Sequence, residues 1–188
     1  MIISILKAAS LRARHAAVKQ LLTDEHKLYR FAFAESNVDR KWDRVIFTDE
    51  STFSSANDGP VLVYRLQGER YNPQYMSTCK RSGCVSVHCW GWISHEGPGF
   101  PHSIEGHLDG LQYQQILQNV MVPSVWMLYP DGIIHLQQDH SSIHDFRVVQ
   151  EWLSRQAEVE LIDWPPQVPD MNPIENMWNE VKGAVQKT

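Results

Sequence analysis

One proline-rich segment constrains the fold more than any other part of the chain: residues 164–178, with the sequence WPPQVPDMNPIENMW. Its four prolines stiffen the backbone before a helix start. Asn172 is a favoured cap residue, and Pro173 is favoured at the first helical position. The segment therefore predicts a helix over residues 173–186 that carries a carboxylate, Glu175, in its first turn.

Two other acids end apolar runs. Asp49 follows the apolar residues of 45–48, and Asp139 follows residues 133–138. Three separated carboxylates, each at the tip of a regular element, are what a two-metal phosphoryl-transfer site requires. Glu50, next to Asp49 on the same strand, is expected to face the other way.

Each of these acids also has a purely structural interpretation. Glu175 could complete a capping box with Asn172, and Asp139 could lie in a solvated loop before a second capping box at residues 142–145. Asp49 could simply be the turn residue at a strand end. On the residues alone, both interpretations remain open.

Hydrophobic periodicity predicts an α/β fold, a mixed five-stranded sheet flanked by helices. The predicted helices are 10–36, 108–128, 142–156 and 173–186. The predicted strands are 42–53, 61–65, 85–94, 133–138 and 159–164, the first two forming a hairpin.

Length and composition exclude some classes of protein. A chain of 188 residues with 43% hydrophobic residues can bury a sizeable core. No apolar run approaches the roughly 20 residues that span a bilayer, and the apolar start of the chain is too short for a typical signal peptide. We therefore expect no membrane partner and no secretion.

Charge is distributed unevenly along the chain. Residues 1–44 hold nine basic and five acidic residues, a net charge of +4. Residues 45–188 hold eight basic and seventeen acidic residues, a net charge of −9. A free-standing DNA-binding domain usually has a basic surplus. If nucleic acid is the substrate, metal ions must offset the acidic part, or a basic module must lie elsewhere. The best candidates for contacts with a DNA backbone are basic residues of the first predicted helix: Arg12, Arg14, Lys19, Lys27 and Arg30.

Other chemistry-bearing residues favour structural roles. His140 and His144 are four residues apart but have no third ligand at a suitable spacing, so hydrogen bonding or surface exposure is expected rather than zinc binding. The three cysteines form no C-x-x-C pair. Several tryptophans are expected in the core rather than stacked on bases: Trp90, Trp92, Trp152 and Trp178.

Several motifs together carry a resemblance to a known family. They are LTDEHKLYRFAFA at 22–34, WDRVIFTDESTF at 42–53, WGWIS at 90–94, YQQIL at 113–117, QDHSSIH at 138–144 and DWPPQVPDMNPIENMW at 163–178. In these motifs, from about Leu22 to Val185, the chain resembles the DDE transposases of the Tc/mariner superfamily. The last motif is the most specific.

The resemblance implies an RNase H-like fold and a nuclear enzyme that cleaves DNA at element ends and transfers the strands into target DNA. It implies that Asp49, Asp139 and Glu175 are the catalytic triad and the metal ligands. We expect two Mg²⁺ or Mn²⁺ ions, with Asp49 bridging both, Asp139 holding one and Glu175 the other. The implied partners are transposon ends, target DNA and a second copy of the chain in a homodimer.

The resemblance also predicts the organisation of the chain. Residues 1–40 correspond to a helical linker segment and residues 41–188 to the catalytic domain, without the family's paired helix-turn-helix DNA-binding region. His140 stands where the family usually has Asn. The 35 residues between Asp139 and Glu175 are one more than the commonest spacing. The alternative function is a domesticated or decayed transposase fragment that binds DNA or protein without catalysis.

Overall fold

Six strands form one mixed sheet in the computed structural model, which describes residues 22–54, 85–166 and 168–185. The strands are β1 (Val45–Ser54), β2 (Ser86–Ser94), β3 (Gly97–Pro98), β4 (His102–Ile104), β5 (Ile134–Gln137) and β6 (Val159–Leu161). Their order is β3-β2-β1-β5-β6, with β4 also paired to β2. Strand β1 is antiparallel to β2 and parallel to β5, and β5 is parallel to β6. The carboxyl end of β5 therefore lies beside Phe47, and β1 continues for seven residues beyond it, to Ser54.

Helices pack on both faces of this sheet. They are α1 (Asp24–Ser36), α2 (Gly110–Ile116), α3 (Val122–Leu128), α4 (Arg147–Leu153) and α5 (Pro173–Val185). One π-helical turn, Leu117–Met121, joins α2 to α3. Pro123 has no N–H to donate to the helical ladder, and the wider turn just before it lets the helix continue. None of the helices described is both long and apolar enough to cross a bilayer.

Side chains along β1 alternate between two cores, as the pleat of a strand requires. Ile46 is completely buried in the larger core, which α2, α3 and α4 cover. Val45 lies in a smaller core on the opposite face with Phe33 and Trp164, and Phe47 packs against it. Asp49 has the same parity as Val45 and Phe47, so it lies on the face of the smaller core.

A glycine on β2 determines how closely α5 approaches the sheet. A Cβ at Gly91 would lie 2.7 Å from Cη2 of the Trp178 side chain, so the indole rests directly on the strand backbone. Gly91 is also the register partner of Asp49. Trp178 therefore fixes α5 beside Asp49, and Glu175 lies almost one turn earlier on the same helix.

The predicted mixed sheet with flanking helices is confirmed, although its details differ. Among the described residues, the sheet contains two short strands that the sequence did not predict, β3 and β4, because the chain reverses after β2 and pairs both segments back onto it. The predicted strand 61–65 lies outside the described residues. Strand β6 ends at Leu161 rather than at residue 164.

The predicted helix start at residue 142 is wrong. Helix α4 begins at Arg147, and residues 142–145 form turns. The N–H groups of His144 and Asp145 both donate to the Ser141 carbonyl, at 2.9 and 3.3 Å. This turn precedes the helix, so the second capping box that was the alternative interpretation of residues 142–145 does not start it.

Candidate active site

Asp49 lies half-buried near the middle of β1, as the fifth of its ten residues. Burial, together with the negative charges of Glu175, Glu50 and Asp139, raises the pKa of its carboxyl group to about 7. A carboxyl group with a pKa this high experiences a negative field without enough positive charge to balance it. The position therefore favours a proton or a cation as a partner.

Asp139 lies two residues beyond the end of β5, whose last residue, Gln137, pairs with Phe47 of β1. A buried hydrogen bond from Thr48 Oγ1 to the Gln137 carbonyl, 2.8 Å long, ties β1 to β5 immediately before the two aspartates. The Asp139 Oδ1 atom accepts from the Ser141 N–H at 3.0 Å and lies 2.8 Å from His144 Nδ1. The His144 hydrogen bond lowers the pKa of Asp139 despite partial burial, so this carboxylate is charged at neutral pH.

Glu175 lies in the first turn of α5, and the buried side chain of Asn172 fixes where that turn begins. Asn172 Nδ2 donates to the Thr48 carbonyl at 3.2 Å, while its Oδ1 accepts from the Ile174 N–H at 3.3 Å. One amide side chain thus caps the helix and holds it against the strand that carries Asp49. The N–H of Asn172 already donates to the Pro169 carbonyl at 3.1 Å. In a capping box, the Glu175 side chain would accept from this same N–H of Asn172. Because the N–H is already paired, the Glu175 carboxylate is not needed for capping.

All three predicted carboxylates line one cavity of about 460 Å³. Gln137 and Asn172 line the same cavity, as do Trp164, Pro165 and Pro166 of the proline-rich segment. Elements far apart in the sequence thus bring Asp49, Asp139 and Glu175 to one place. Within the described ranges, however, no three acidic, histidine or cysteine side chains are gathered tightly enough to form a ready-made metal cage.

His144 is a site residue whose importance the sequence did not reveal. Its side chain is only 3% exposed and lies between two acids, with Nδ1 at 2.8 Å from Asp139 Oδ1 and Nε2 at 3.4 Å from Glu50 Oε1. Tyr113 packs against the imidazole with ring centroids 4.3 Å apart. Burial alone lowers the pKa of His144, but the hydrogen bonds to Asp139 and Glu50 outweigh it and raise the pKa to about 10. His144 is therefore a buried cation that holds Asp139 in place.

The hydrogen-bonding role expected for His144 is confirmed. Glu50 contacts the imidazole from the sheet face opposite to Asp49, as the alternation of side chains along a strand predicts. His140 Nε2 instead contacts the Trp164 carbonyl. The two histidines do not share a helix face, since both lie before α4. The one sequence signal that could have revealed the role of His144 is its spacing, five residues after the candidate metal ligand Asp139.

The tryptophans and Arg30, which the sequence also offered as candidates for DNA contacts, have structural roles in the described part of the chain. Trp90, Trp92 and Trp178 are buried and Trp152 is partly buried against the larger core, as predicted. Arg30 forms a bidentate ion pair with Asp170, at 2.8 and 2.7 Å, that holds α1 against the turn before α5. Arg12, Arg14 and Lys19 lie outside the described residues.

Comparison with known proteins identifies relatives of this chain. Residues 44–188 match the family described as DDE superfamily endonuclease. The chain is 32% identical over 181 residues to the transposable element Tc1 transposase of Caenorhabditis elegans, covering 94% of this chain and 66% of the relative. It is 35% identical over 182 residues to the Tcb1 transposase of Caenorhabditis briggsae, with the same coverage. The chain thus spans about two thirds of the length of these relatives.

Solved structures show the same fold. The Mos1 mariner paired end complex with Mn superposes with a TM-score of 0.75 at 17% identity, covering 98% of this chain and 56% of that one. The catalytic domain of Mos1 mariner transposase gives a TM-score of 0.59 at 14% identity, covering 91% and 76%. The expected RNase H-like fold is confirmed by these likenesses.

Proposed function

Because this chain belongs to the DDE superfamily endonucleases, within the Tc/mariner group, we propose that it cleaves DNA phosphodiester bonds and transfers the strands during transposition. One observation carries the proposal: Asp49, Asp139 and Glu175 line a single cavity, where the carboxyl end of β5 meets the middle of β1. All three are in the positions that the resemblance assigns to the catalytic triad. A fragment that only binds DNA or protein would not need to keep three mutually repelling acids at one site.

The donor set fits divalent metal ions. Carboxylate oxygens are the hard ligands that Mg²⁺ and Mn²⁺ prefer, and the pKa of Asp49, raised to about 7 by burial and neighbouring acids, records a local excess of negative charge. We assign Asp49, Asp139 and Glu175 as the residues that would hold two such ions. When bound, the ions supply the positive charge that stabilises the attacking and leaving oxygens of an in-line displacement.

The chain's own residues orient this site. Asn172 and Trp178 place the first turn of α5 against β1, and His144 steadies Asp139. The bonds from His144 and Ser141 both reach Oδ1 of Asp139, which leaves Oδ2 as the oxygen better placed for a ligand. Such an arrangement preorganises the carboxylates before the substrate arrives.

A second cavity supports DNA as the substrate. It has a volume of about 760 Å³ and shares its wall with the carboxylate cavity at His140 and residues 164–166. Tyr29 and Arg40 line its other side. An aromatic ring and a guanidinium group are the usual contacts for bases and phosphates of a nucleic acid strand, so a strand with its scissile phosphate at Asp49 could continue into this cavity.

We further propose a nuclear location, a homodimeric assembly, and transposon ends and target DNA as partners. DNA substrates of a eukaryotic transposase lie in the nucleus, and the relatives of this chain include nematode transposases. The Mos1 neighbours include paired-end and strand transfer complexes, which supports DNA as the partner.

The test is metal-dependent nicking of supercoiled DNA. We expect nicking by the wild-type protein in Mg²⁺ or Mn²⁺, its loss in EDTA, and its loss in Asp139→Asn with an unchanged circular dichroism spectrum. The matched control is Asp145→Asn, which alters an exposed aspartate of the adjacent turn and should nick normally. DNA binding without nicking by the wild type would instead support the non-catalytic alternative.

A further inference from the structure

A completely buried glutamine lies on the floor of the carboxylate cavity. Gln137 is 0% exposed and ends β5. It is the register partner of Phe47, so its side chain lies on the same sheet face as Asp49, beside the residue two positions before that aspartate. Asp139 follows it by two residues. Gln137 thus lies directly beneath the two aspartates of the proposed triad and lines their cavity.

The side-chain amide of Gln137 is unsatisfied. Among the residues that the structure describes, neither its Nε2 nor its Oε1 has a hydrogen-bond partner, and both atoms are buried. A buried polar group without a partner lowers the stability of a protein, because the group loses its hydrogen bonds to water on folding. An apolar side chain would fill this position with less cost to folding, so the amide is explained better by a ligand than by packing.

The adjacent glutamine shows what a structural amide looks like in this fold. Gln138 is also buried, but its Oε1 accepts a hydrogen bond of 2.9 Å from the Tyr113 hydroxyl. Successive strand residues point to opposite faces, so Gln138 is directed towards Tyr113 and the larger core. The chain thus holds two neighbouring buried glutamines: the amide of Gln138 is paired with Tyr113, whereas the amide of Gln137, which lines the cavity, has no partner among the described residues.

We propose that Gln137 binds and orients the hydroxyl nucleophile of the reaction. A carboxamide offers one acceptor oxygen and two donor hydrogens. Neither the Oε1 nor the Nε2 of Gln137 has a partner among the described residues. Water and a DNA 3′-hydroxyl each carry a donor hydrogen and acceptor lone pairs, so either can satisfy both ends together. A phosphate diester has only acceptors and would leave Oε1 unpaired. This inference rests on the proposed function and adds a positioning residue to it.

The inference predicts opposite effects on stability and catalysis. Methionine is close to glutamine in shape and lacks its polar end, so Gln137→Met removes the unsatisfied amide without opening a large cavity. We expect the melting temperature of Gln137→Met to stay level or rise by roughly 2–4 °C, while the single-turnover nicking rate at saturating DNA falls roughly 10- to 100-fold. DNA affinity measured in Ca²⁺, which supports binding in place of the reactive metal, should change by less than about twofold, because the amide contacts the nucleophile.

The matched control is Gln138→Met, which removes the bond to Tyr113 and should lower the melting temperature by roughly 2–4 °C. A lower melting temperature for Gln137→Met would show that its amide is paired in the folded protein and would overturn the inference. Nicking by Gln137→Met at the wild-type rate would overturn it too, as would a loss confined to DNA affinity, which indicates phosphate binding. If the wild type itself does not nick DNA, the proposed function fails, and the assignment to Gln137 falls with it.

Discussion

The buried imidazole of His144 provides a test of how the site is held together. The variant His144→Phe keeps a ring against Tyr113, where the centroids are 4.3 Å apart. It removes the 2.8 Å contact with the Asp139 carboxylate and the 3.4 Å contact with Glu50. We expect the folded protein to lose stability, because two acids then lack the cation that lies between them.

The size of the loss follows from the geometry. A hydrogen bond to a charged group contributes about 1.5–3 kcal/mol. The Asp139 side chain is 64% exposed, and water will compensate part of its loss. The Glu50 contact is longer than an ordinary hydrogen bond and adds little. Near pH 5.5 we therefore expect His144→Phe to lower the free energy of unfolding by about 2 kcal/mol.

The loss should depend on pH in a definite direction. Burial opposes protonation of His144, but its bonds to Asp139 and Glu50 raise its pKa from 6.5 to about 10. A raised pKa contributes stability that is complete below pH 6.5 and is lost as the pH rises through 10. The lowered pKa of Asp139 contributes stability that is present above pH 3.8 and is lost at lower pH. Both contributions are therefore complete at pH 5.5.

The assay is urea unfolding of the wild type and His144→Phe at pH 5.5 and pH 9.5, followed by tryptophan fluorescence. At pH 9.5 the difference between them should shrink to less than about 1 kcal/mol. Titration of groups that are unchanged between the two proteins largely cancels in the comparison. Equal losses at both pH values, or no loss at pH 5.5, would refute the assignment of His144 as a buried cation.

Three further predictions concern the surroundings of the carboxylates. Asn172→Ala removes a helix cap and a bond to the Thr48 carbonyl; the free energy of unfolding should fall by about 1–2 kcal/mol in urea titrations, and no change would show that α5 needs neither bond. Gly91→Ala places a Cβ 2.7 Å from the Trp178 ring; it should lower stability by about 1–3 kcal/mol and slow nicking by shifting α5, whereas wild-type nicking and stability would contradict this packing. Because the pKa of Asp49 is raised to about 7, protons compete with metal ions below that pH; calorimetric Mn²⁺ affinity should fall about tenfold from pH 8 to pH 6, and equal affinity would contradict a shift of this size.

Local sequence signals predicted the elements that carry the three acids, but the expectation that Asp49 lies at the tip of its strand is wrong, because β1 continues for five residues beyond it, to Ser54. Asp49 and Asp139 follow apolar runs that form neighbouring parallel strands, and Pro173 marks a helix start that the structure confirms. These signals work because strand ends and helix caps depend on residues close in the sequence. That the acids meet in one cavity depends on the topology, for which the family resemblance was the guide.

The support around the acids could not be predicted in the same way. Glu50 and His144 are 94 residues apart, and no periodic pattern links a strand to a turn on another element. The helix predicted from residue 142 has the right spacing of apolar residues, yet the chain forms turns there that direct His144 inward. Gln137 and Gln138 look equivalent in the sequence, and only the two faces of the sheet distinguish their environments. Such roles depend on tertiary contacts rather than on local preference.

The most direct test of the shared metal site is a crystal structure of the protein with Mn²⁺, with anomalous diffraction measured near the manganese absorption edge. We predict anomalous peaks in the cavity, with Asp49 contacting both ions and Asp139 and Glu175 contacting one each. Manganese bound elsewhere, or bound in the cavity without one of these carboxylates, would contradict the assignment of the three acids as one metal-binding set.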